Sequence, residues 1–489
     1  MLFNSHIFML LFLPLLLAGW YFLNWKKKFQ LAQGYLIGMS LWFYAYANLQ
    51  YLWLLLFSCL IGWLLSCLPE KISSEIGKKV LTGVGCVFHL GLLGYFKYSN
   101  FFLENLNTAF HTDFPMLQIL LPVGISFYTF QQLAYLIDRC RGDAPRDSFF
   151  DYLTFMVYFP QLLQGPILLR SEFMEQLKEP ERRRFHAERF SEGIQFFVFG
   201  LAKKVLLADT LAKAVNYGYS NVSMLDSISA LLLAVGYLTE LYFDFSGYCD
   251  MAVGLGKMIG LEVAENFDAP FHSASVKEFW RRWHMTLGRF FTRYVYIPLG
   301  GNRRGKMRTL CNVMIVMLLS GLWHGAAWTF VLWGFLHGVG MIWDNLEHPH
   351  LPKKWMRQAA TFAYVCMTFV FFRAESIAQG VDVLKSIVSL KWNGFVFQMA
   401  SALDLTEFYM ITKALSMKLP GLLSWFWLGI FVVLIAICFR VLSGEKVSGV
   451  VALQRQKGYG RLYPVLLAVL FTWSMISMTG VSEYLYFSF

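Results

Sequence analysis

The sequence predicts an all-α protein that crosses a membrane many times, and three observations carry that prediction. Charged residues make up only 15% of the 489-residue chain and hydrophobic residues 57%, whereas a soluble domain is about 25% charged; mean hydropathy is +0.49. Apolar runs close to the ~20 residues that cross a bilayer as a helix recur from end to end. The Lys and Arg residues gather in short loops between those runs.

Taken in order, clear runs lie at residues 3–24, 31–49, 51–68, 80–98, 116–137, 193–208 and 227–247. Others follow at 309–320 merging into 325–343, then at 358–373, 424–441 and 462–479, with weaker ones at 150–168, 248–261 and 380–398. The reading is roughly 11 to 13 spans, some of them broken or re-entrant where Gly and Pro interrupt the pattern. Residues 3–24 look like the apolar part of a leader but lack a basic start and a small-residue cleavage site, so they read as a retained anchor.

The formal net charge of +11 does not point to nucleic acid, because no long basic tract with interleaved polar residues occurs. The positive charges sit at Lys26–Lys28 and in the segments 69–79, 138–146, 178–189 and 276–308. Loops of that kind face the cytoplasm. Residues 100–116 carry no Lys or Arg and read as external, which puts the N-terminus outside as well. The eight cysteines (Cys59, Cys67, Cys86, Cys140, Cys249, Cys311, Cys366 and Cys438) show no CxxC pair or metal-ligand spacing. They read as small apolar residues, with neither a disulfide nor a metal site expected.

No linker, low-complexity tract or internal repeat divides the chain, so a single unit over residues 1–489 is expected. Two polar interruptions stand out, a charged and helical 169–192 and the more unusual 262–310. Placed on one helix with Trp280 at zero, Trp283, Leu287, Phe291 and Tyr294 of 276–294 fall within about 60°, while Arg281, Arg282, Arg289 and Arg293 fall between about 100° and 220°. Such a basic amphipathic helix lies in a membrane interface. His284 falls at about 40°, with the aromatic residues rather than the arginines.

Acidic residues also occur in apolar surroundings. Glu240, Asp244 and Asp250 lie within 238–256 and must be paired, protonated or facing water; the basic helix that follows is one set of partners, and a cluster holding a broken helix is the structural alternative. Gln161 and Gln164 flank Pro160 and Gly165–Pro166, and Pro122, Gly124, Ser126 and Gln131 repeat the theme. Both patterns fit non-helical backbone lining a polar interior.

The stretch "SGLWHGAAWTFVLWG" (320–334) places His324 in what reads as the middle of a lipid-spanning helix. An ionisable group at that depth marks a functional site by default, and an imidazole suits general-base work near neutral pH. Such a base can take the proton from a hydroxyl as it attacks a thioester carbonyl. His337 lies 13 positions on, about 220° around a continuous helix, and reads as structural. His6, His89, His111, His186, His272, His348 and His350 have no motif around them. No GxSxG, Walker A or HExxH motif occurs, so hydrolase, NTPase and zincin readings lack support.

The stretches 121–142, 158–173, 242–260, 266–305 and 320–338, among them "FWRRWHMTLGRFF" and "SGLWHGAAW", together resemble the membrane-bound O-acyltransferases, and within them the bacterial polysaccharide (alginate-type) O-acetyltransferases. The resemblance implies a core over about 120–345, flanked by N-terminal spans in 1–119 and C-terminal spans in 346–489, around a central tunnel. It implies that His324 is catalytic and His284 a supporting tunnel residue. Trp323, Trp280, Trp283, Asp244, Asp250, Gln161, Arg289 and Arg293 are then expected around the substrates, with Arg289 and Arg293, together with Arg303 and Arg304, suited either to phosphates of coenzyme A or to anionic lipid headgroups.

The implied reaction delivers an acetyl group from cytoplasmic acetyl-CoA through the tunnel to an external hydroxyl. An extracytoplasmic SGNH-type partner then passes it to a polysaccharide. No permanently bound cofactor and no nucleic acid are expected; membrane lipids are partners, and the location is a bacterial inner membrane. Three alternatives accompany this reading: D-alanyl transfer from a carrier protein to teichoic acid, a proton-coupled transporter using Glu240, Asp244 and His284, and a scaffold for an extracytoplasmic enzyme with His324 structural. For the transporter, the paired broken helices of inverted repeats are not seen.

Overall fold

In the computed structural model, the chain is a bundle of helices, and no strand occurs among the described residues. These are residues 1–346, 353–442, 446–457, 460, 462–478 and 484–485; His348 and His350 lie outside them. The N-terminal helices are α1 (Leu13–Trp25), α2 (Phe29–Asn48), α3 (Leu52–Cys67), α4 (Glu75–Leu93) and α5 (Ser99–Phe110), the last two joined by a π-helical turn at Gly94–Tyr98. Next come α6 (Ile125–Arg141), α7 (Phe149–Val157), α8 (Phe159–Leu162), α9 (Arg170–Lys178), α10 (Ala187–Ala202), α11 (Asp209–Ser220) and α12 (Ser227–Ile259). The central segment holds α13 (Val276–Arg282), α14 (Met285–Phe291), α15 (Lys306–His324), α16 (Trp328–Asn345) and α17 (Lys354–Arg373). It is followed by α18 (Ile377–Val388), α19 (Phe395–Ser401), α20 (Tyr409–Lys418), α21 (Pro420–Leu442), α22 (Val447–Lys457) and α23 (Leu462–Ser477).

Six helical stretches among the described residues are long and apolar enough to cross a membrane: Phe8–Trp25, Leu49–Cys67, Glu75–Phe110, Ser227–Ile259, Lys306–His324 and Pro420–Val441. Large apolar side chains such as Leu10, Trp53, Val87, Phe102, Trp343 and Leu466 face outward from the bundle, as a hydrocarbon solvent allows. Several apolar runs are not single helices. The run at 116–137 stays non-helical through Gly124, which has φ 78°, and becomes helical only at Ile125. The run at 150–168 divides into α7 and α8 at Tyr158, and the run at 380–398 stops at Val388.

The opposite correction applies to 227–261. Two expected spans fuse into α12, an unbroken helix of 33 residues that rises about 50 Å at ~1.5 Å per residue. Asp226 caps its first turn, accepting from Ser229 N at 2.8 Å and also from the backbone N–H groups of Asn393 and Gly394. Gly260 ends it in the left-handed conformation, φ 89°, where a side chain would be strained. The helix is buried along most of its length and forms the axis of the bundle.

Helix α10 meets this axis through facing glycines. A Cβ on Gly200 would stand 2.5 Å from Gly247 O, and one on Gly254 would stand 2.6 Å from Gly193 O. Both pairs recur after seven residues, so the two backbones stay close over two turns, the close approach that small residues permit between membrane helices.

This packing also settles where the buried acids of α12 find their partners. Lys203 Nζ lies 2.6 Å from Asp250 Oδ2, and Lys204 Nζ lies 2.6 Å from Asp244 Oδ1 and 2.7 Å from Asp209 Oδ1. The cations therefore come from the π-helical turn Lys203–Ala208 that follows α10, not from the basic segment after α12, and the helix that carries the acids is not broken. A charge buried at this depth requires such a partner.

Candidate active site

Helix α15 stops at His324 because Gly325 (φ −158°, ψ 150°) and Ala327 (φ −150°, ψ 153°) adopt extended backbone before α16 begins at Trp328. His324 is thus the last residue of a helix, not the middle of one, and the two apolar runs form a hairpin instead of merging. Gly321 against Phe330 O and Gly334 against Met317 O let the two arms touch. At ~1.5 Å per residue, the 19 residues of α15 rise about 28 Å, so His324 stands at the end farthest from the basic loop at 303–308.

A helix end leaves its last carbonyls without intrahelical donors. Here they are met from the N-terminal part of the chain. Lys97 Nζ donates to Trp323 O at 2.7 Å and His324 O at 2.9 Å, and Tyr98 Oη donates to Leu322 O at 2.6 Å.

The imidazole of His324 is enclosed by aromatic rings. Its centroid lies 4.9 Å from Trp323, 5.2 Å from Trp333 and 5.1 Å from Phe372, each edge-to-face, and 6.4 Å from the ring of His284. Both histidines are buried, at 3% and 0% exposure. Trp323 is fixed in turn by Phe127 and Phe130 at the start of α6, with its Nε1 donating to Ser126 O at 3.4 Å.

His284 does not continue the helix that the spacing of 276–294 predicts. It sits between α13 and α14 with φ 47° and ψ 51°. The break comes from Asn266 and its neighbours, which pair with the passing chain: Asp268 N donates to Arg282 O at 2.9 Å, and Met285 N to Asn266 O at 3.0 Å. The Asn266 side-chain oxygen accepts from Thr286 N and Thr286 Oγ1, both at 3.0 Å, and lies 3.2 Å from His284 Nδ1. Because an amide oxygen only accepts, Nδ1 carries the ring proton. That leaves the Nε2 lone pair exposed within a buried space, without a partner among the described residues. Burial lowers the pKa of this imidazole from 6.5 to about 3, so it is neutral at physiological pH.

His337 lies close by because the hairpin, not a continuous helix, sets its direction. Trp333 stands between it and His324, 4.7 Å from the His337 ring. Trp280 Nε1 donates to His337 Nδ1 at 3.3 Å, and His337 Nε2 lies 2.9 Å from Thr368 Oγ1. With both nitrogens engaged, this ring braces α13, α16 and α17.

The expected residues therefore divide. His324, His284, Trp323, Trp283 and Trp280 share one aromatic cluster, with Trp283 5.5 Å and Trp333 5.4 Å from Phe369 and Trp280 5.7 Å from Trp333. Gln161 lies on α8, where its amide donates to Phe155 O, and Gln131 and Gln164 are buried with amide groups that meet no partner among the described residues. Asp244 and Asp250 are held by the lysines that follow α10. Arg289 is forked onto Glu172 and donates to Ile167 O at 3.0 Å, while Arg293 pairs with Asp138 at 3.1 Å and Asp143 at 2.9 Å. Both guanidinium groups are thus engaged by carboxylates.

A cavity of about 1110 Å³ opens between α10, α11, α12 and the C-terminal helices. Asp250, Lys203 and Asn266 are among its lining residues, whereas His324 is not. Asn266, which lies 3.2 Å from His284 Nδ1, thus belongs both to the cavity lining and to the histidine pair's surroundings.

Reading the sequence missed Lys97, Asn266, Trp333 and Phe372. Lys97 had a signal, being the sole Lys, Arg, Asp or Glu between residues 80 and 103. Asn266 had none, since its role depends on a chain segment that passes 18 residues later.

The family model for membrane-bound O-acyltransferases matches residues 144–379. A peptidoglycan O-acetyltransferase of Helicobacter pylori is 35% identical over 423 residues, 80% of this chain and 80% of the relative. A probable alginate O-acetylase of Azotobacter vinelandii is 40% identical over 77% of this chain and 76% of its own length. A teichoic acid D-alanyltransferase of Streptococcus thermophilus is 28% identical over 49% of this chain and 58% of the relative. Together with the helical bundle, these matches define an integral membrane enzyme that transfers acyl groups to oxygen. The chain belongs to the membrane-bound O-acyltransferase family.

Proposed function

We propose that the chain moves an acetyl group from cytoplasmic acetyl-CoA to a hydroxyl presented from outside, for O-acetylation of a cell-surface or exported polysaccharide. The observation that carries this reading is the pairing of two buried imidazoles, 6.4 Å apart between ring centroids, at the far end of a spanning helix. In the proposed step, His324 takes the proton of the acceptor hydroxyl as its oxygen attacks the thioester carbonyl. The carbon–sulfur bond then breaks, and the leaving thiolate recovers the proton from the imidazolium. General-base assistance of this kind contributes about 10²- to 10⁴-fold, and the aromatic enclosure keeps water from the activated acyl group. The neutral His284, with its Nε2 free to accept, supports an incoming hydroxyl or the proton in transit.

The same reading keeps an extracytoplasmic SGNH-type protein as the next acceptor, a bacterial inner-membrane location and an external N-terminus. No permanently bound cofactor takes part. Relatives named as O-acetyl-transferring enzymes match at 35–40% identity over 77–80% of this chain, against 28% over 49% for the D-alanyltransferase, which favours acetyl transfer over D-alanyl transfer.

The test supplies membranes containing the full chain with radiolabelled acetyl-CoA or with radiolabelled D-alanyl carrier protein. Acetyl label moving to glycan, and lost in His324→Ala at unchanged membrane abundance, is the expected result. Retained transfer in that variant overturns the role of His324, and movement of D-alanine label alone overturns the donor.

A further inference from the structure

We propose that Lys97 is a positioning residue for acyl transfer, holding the terminal carbonyls of the helix that carries His324 and setting a positive charge beside the reaction. This rests on the reading of His324 as the base.

The geometry begins with the backbone. Gly94–Tyr98 is a π-helical turn inside an otherwise continuous helical stretch from Glu75 to Phe110, and isolated π turns gather at functional sites. That turn brings two consecutive side chains, Lys97 and Tyr98, onto three consecutive carbonyls at the end of α15, those of Leu322, Trp323 and His324.

Capping alone does not explain a lysine. Tyr98 satisfies its carbonyl with a neutral hydroxyl, whereas an ammonium at membrane depth carries a large desolvation penalty. Among the described residues, no carboxylate lies within ion-pair distance of Lys97 to offset its charge. The negative end of the α15 dipole recovers part of the penalty. What remains is an amine that, when protonated, sets a cation beside the point where negative charge develops, first on the carbonyl oxygen of the tetrahedral intermediate and then on the departing sulfur. In a water-excluded site, such a preset charge is worth far more than in solution. Lys97 also lies outside the matched residues 144–379, so the N-terminal spans supply part of the reaction's setting.

The test measures acetyl transfer from radiolabelled acetyl-CoA by the full chain in membranes, with kcat and KM determined for Lys97→Met, Lys97→Gln, Lys97→Arg, Tyr98→Phe and His324→Ala. Lys97→Met is expected to lower kcat by about 10²-fold while KM for acetyl-CoA stays within about 2-fold. Lys97→Arg is expected to stay within about 10-fold of the parent, and Tyr98→Phe, which removes a cap but no charge, within about 5-fold. Lys97→Gln can still cap, so it decides the matter if the Met variant fails to accumulate; a near-parental kcat in Lys97→Gln overturns the role of the charge. Equal losses in Lys97→Met and Tyr98→Phe reduce Lys97 to a cap and overturn the proposal. Transfer abolished in His324→Ala but intact in Lys97→Met sinks this inference alone, while transfer retained in His324→Ala removes the reading beneath it.

Discussion

Asn266 turns its side-chain oxygen toward His284 Nδ1 at 3.2 Å and so decides which ring nitrogen carries the proton. The same oxygen accepts two hydrogen bonds from Thr286, so a single amide shapes both the backbone and the tautomer. Asn266→Ala is expected to destabilise the protein by about 1–3 kcal/mol, because buried donors lose their acceptor, and to lower transfer by about 10-fold or more. Thermal unfolding in detergent and a labelled transfer assay check the two effects separately. Unchanged activity would show that the tautomer of His284 does not matter.

The pKa of about 3 for His284 has a definite pH consequence. The unfolded chain, near 6.5, binds a proton that the folded one does not. The contribution of this residue to stability is therefore present above about 6.5 and is lost as pH falls toward about 3. Asn266→Asp would set a carboxylate against the ring and favour the imidazolium. A rate-versus-pH profile for this variant should show its acid-side loss displaced toward neutrality relative to the parent; superimposable profiles would contradict the assignment.

Facing glycines bring α10 and α12 together, and a side chain there has nowhere to go. Gly247→Leu is expected to cost well over about 2 kcal/mol through overpacking and to deplete folded protein from the membrane. Gly91→Leu, at a position where a Cβ meets nothing within 4 Å, should leave abundance near the parental level. Quantifying the two variants in isolated membranes makes the comparison, and equal abundance would argue against the close packing.

Breaking the ion pairs of α12 should be worse than removing them. Lys204→Met leaves Asp244 buried without its nearest cation, a change of about 3–5 kcal/mol. Adding Asp244→Leu should recover part of that loss, and a melting-temperature cycle over the two single variants and the double would show it. Strict additivity would mean that the pair is not coupled.

Thr368 and His337 form a structural brace on the far side of Trp333. Thr368→Val is expected to lower stability by about 1–2 kcal/mol, by leaving a ring nitrogen unmet, while KM for the acyl donor stays within about 2-fold. A large KM change would instead draw His337 into the substrate path.

What could be read from the chain alone was governed by local and compositional physics. An apolar run must hide its backbone inside a helix, so membrane helices, the clustering of cations in loops and the abnormality of His324 and His284 were all visible before any fold was known. The residue pattern also carried the resemblance that the relatives bear out. Boundaries were less legible. The sequence could not show that 227–261 stays unbroken, because an interior of carboxylates and glycines looks like a break until Lys203, Lys204 and the glycines of α10 are placed against it.

The site itself was half visible. The two histidines and the tryptophans beside them stood in recognisable motifs, but a helical wheel put His284 on one face of a continuous helix, and the structure interrupts that helix at this residue. Hydropathy put His324 at mid-span, whereas extended backbone at Gly325 and Ala327 makes it a helix end. Which charges meet a carboxylate, as with Arg289 on Glu172, and which meet only backbone carbonyls among the described residues, as with Lys97, was settled only by the tertiary structure. Hydrophobicity and helical periodicity are properties of neighbours along the chain, while a hydrogen bond between residues 97 and 324, or 266 and 284, depends on how distant segments pack.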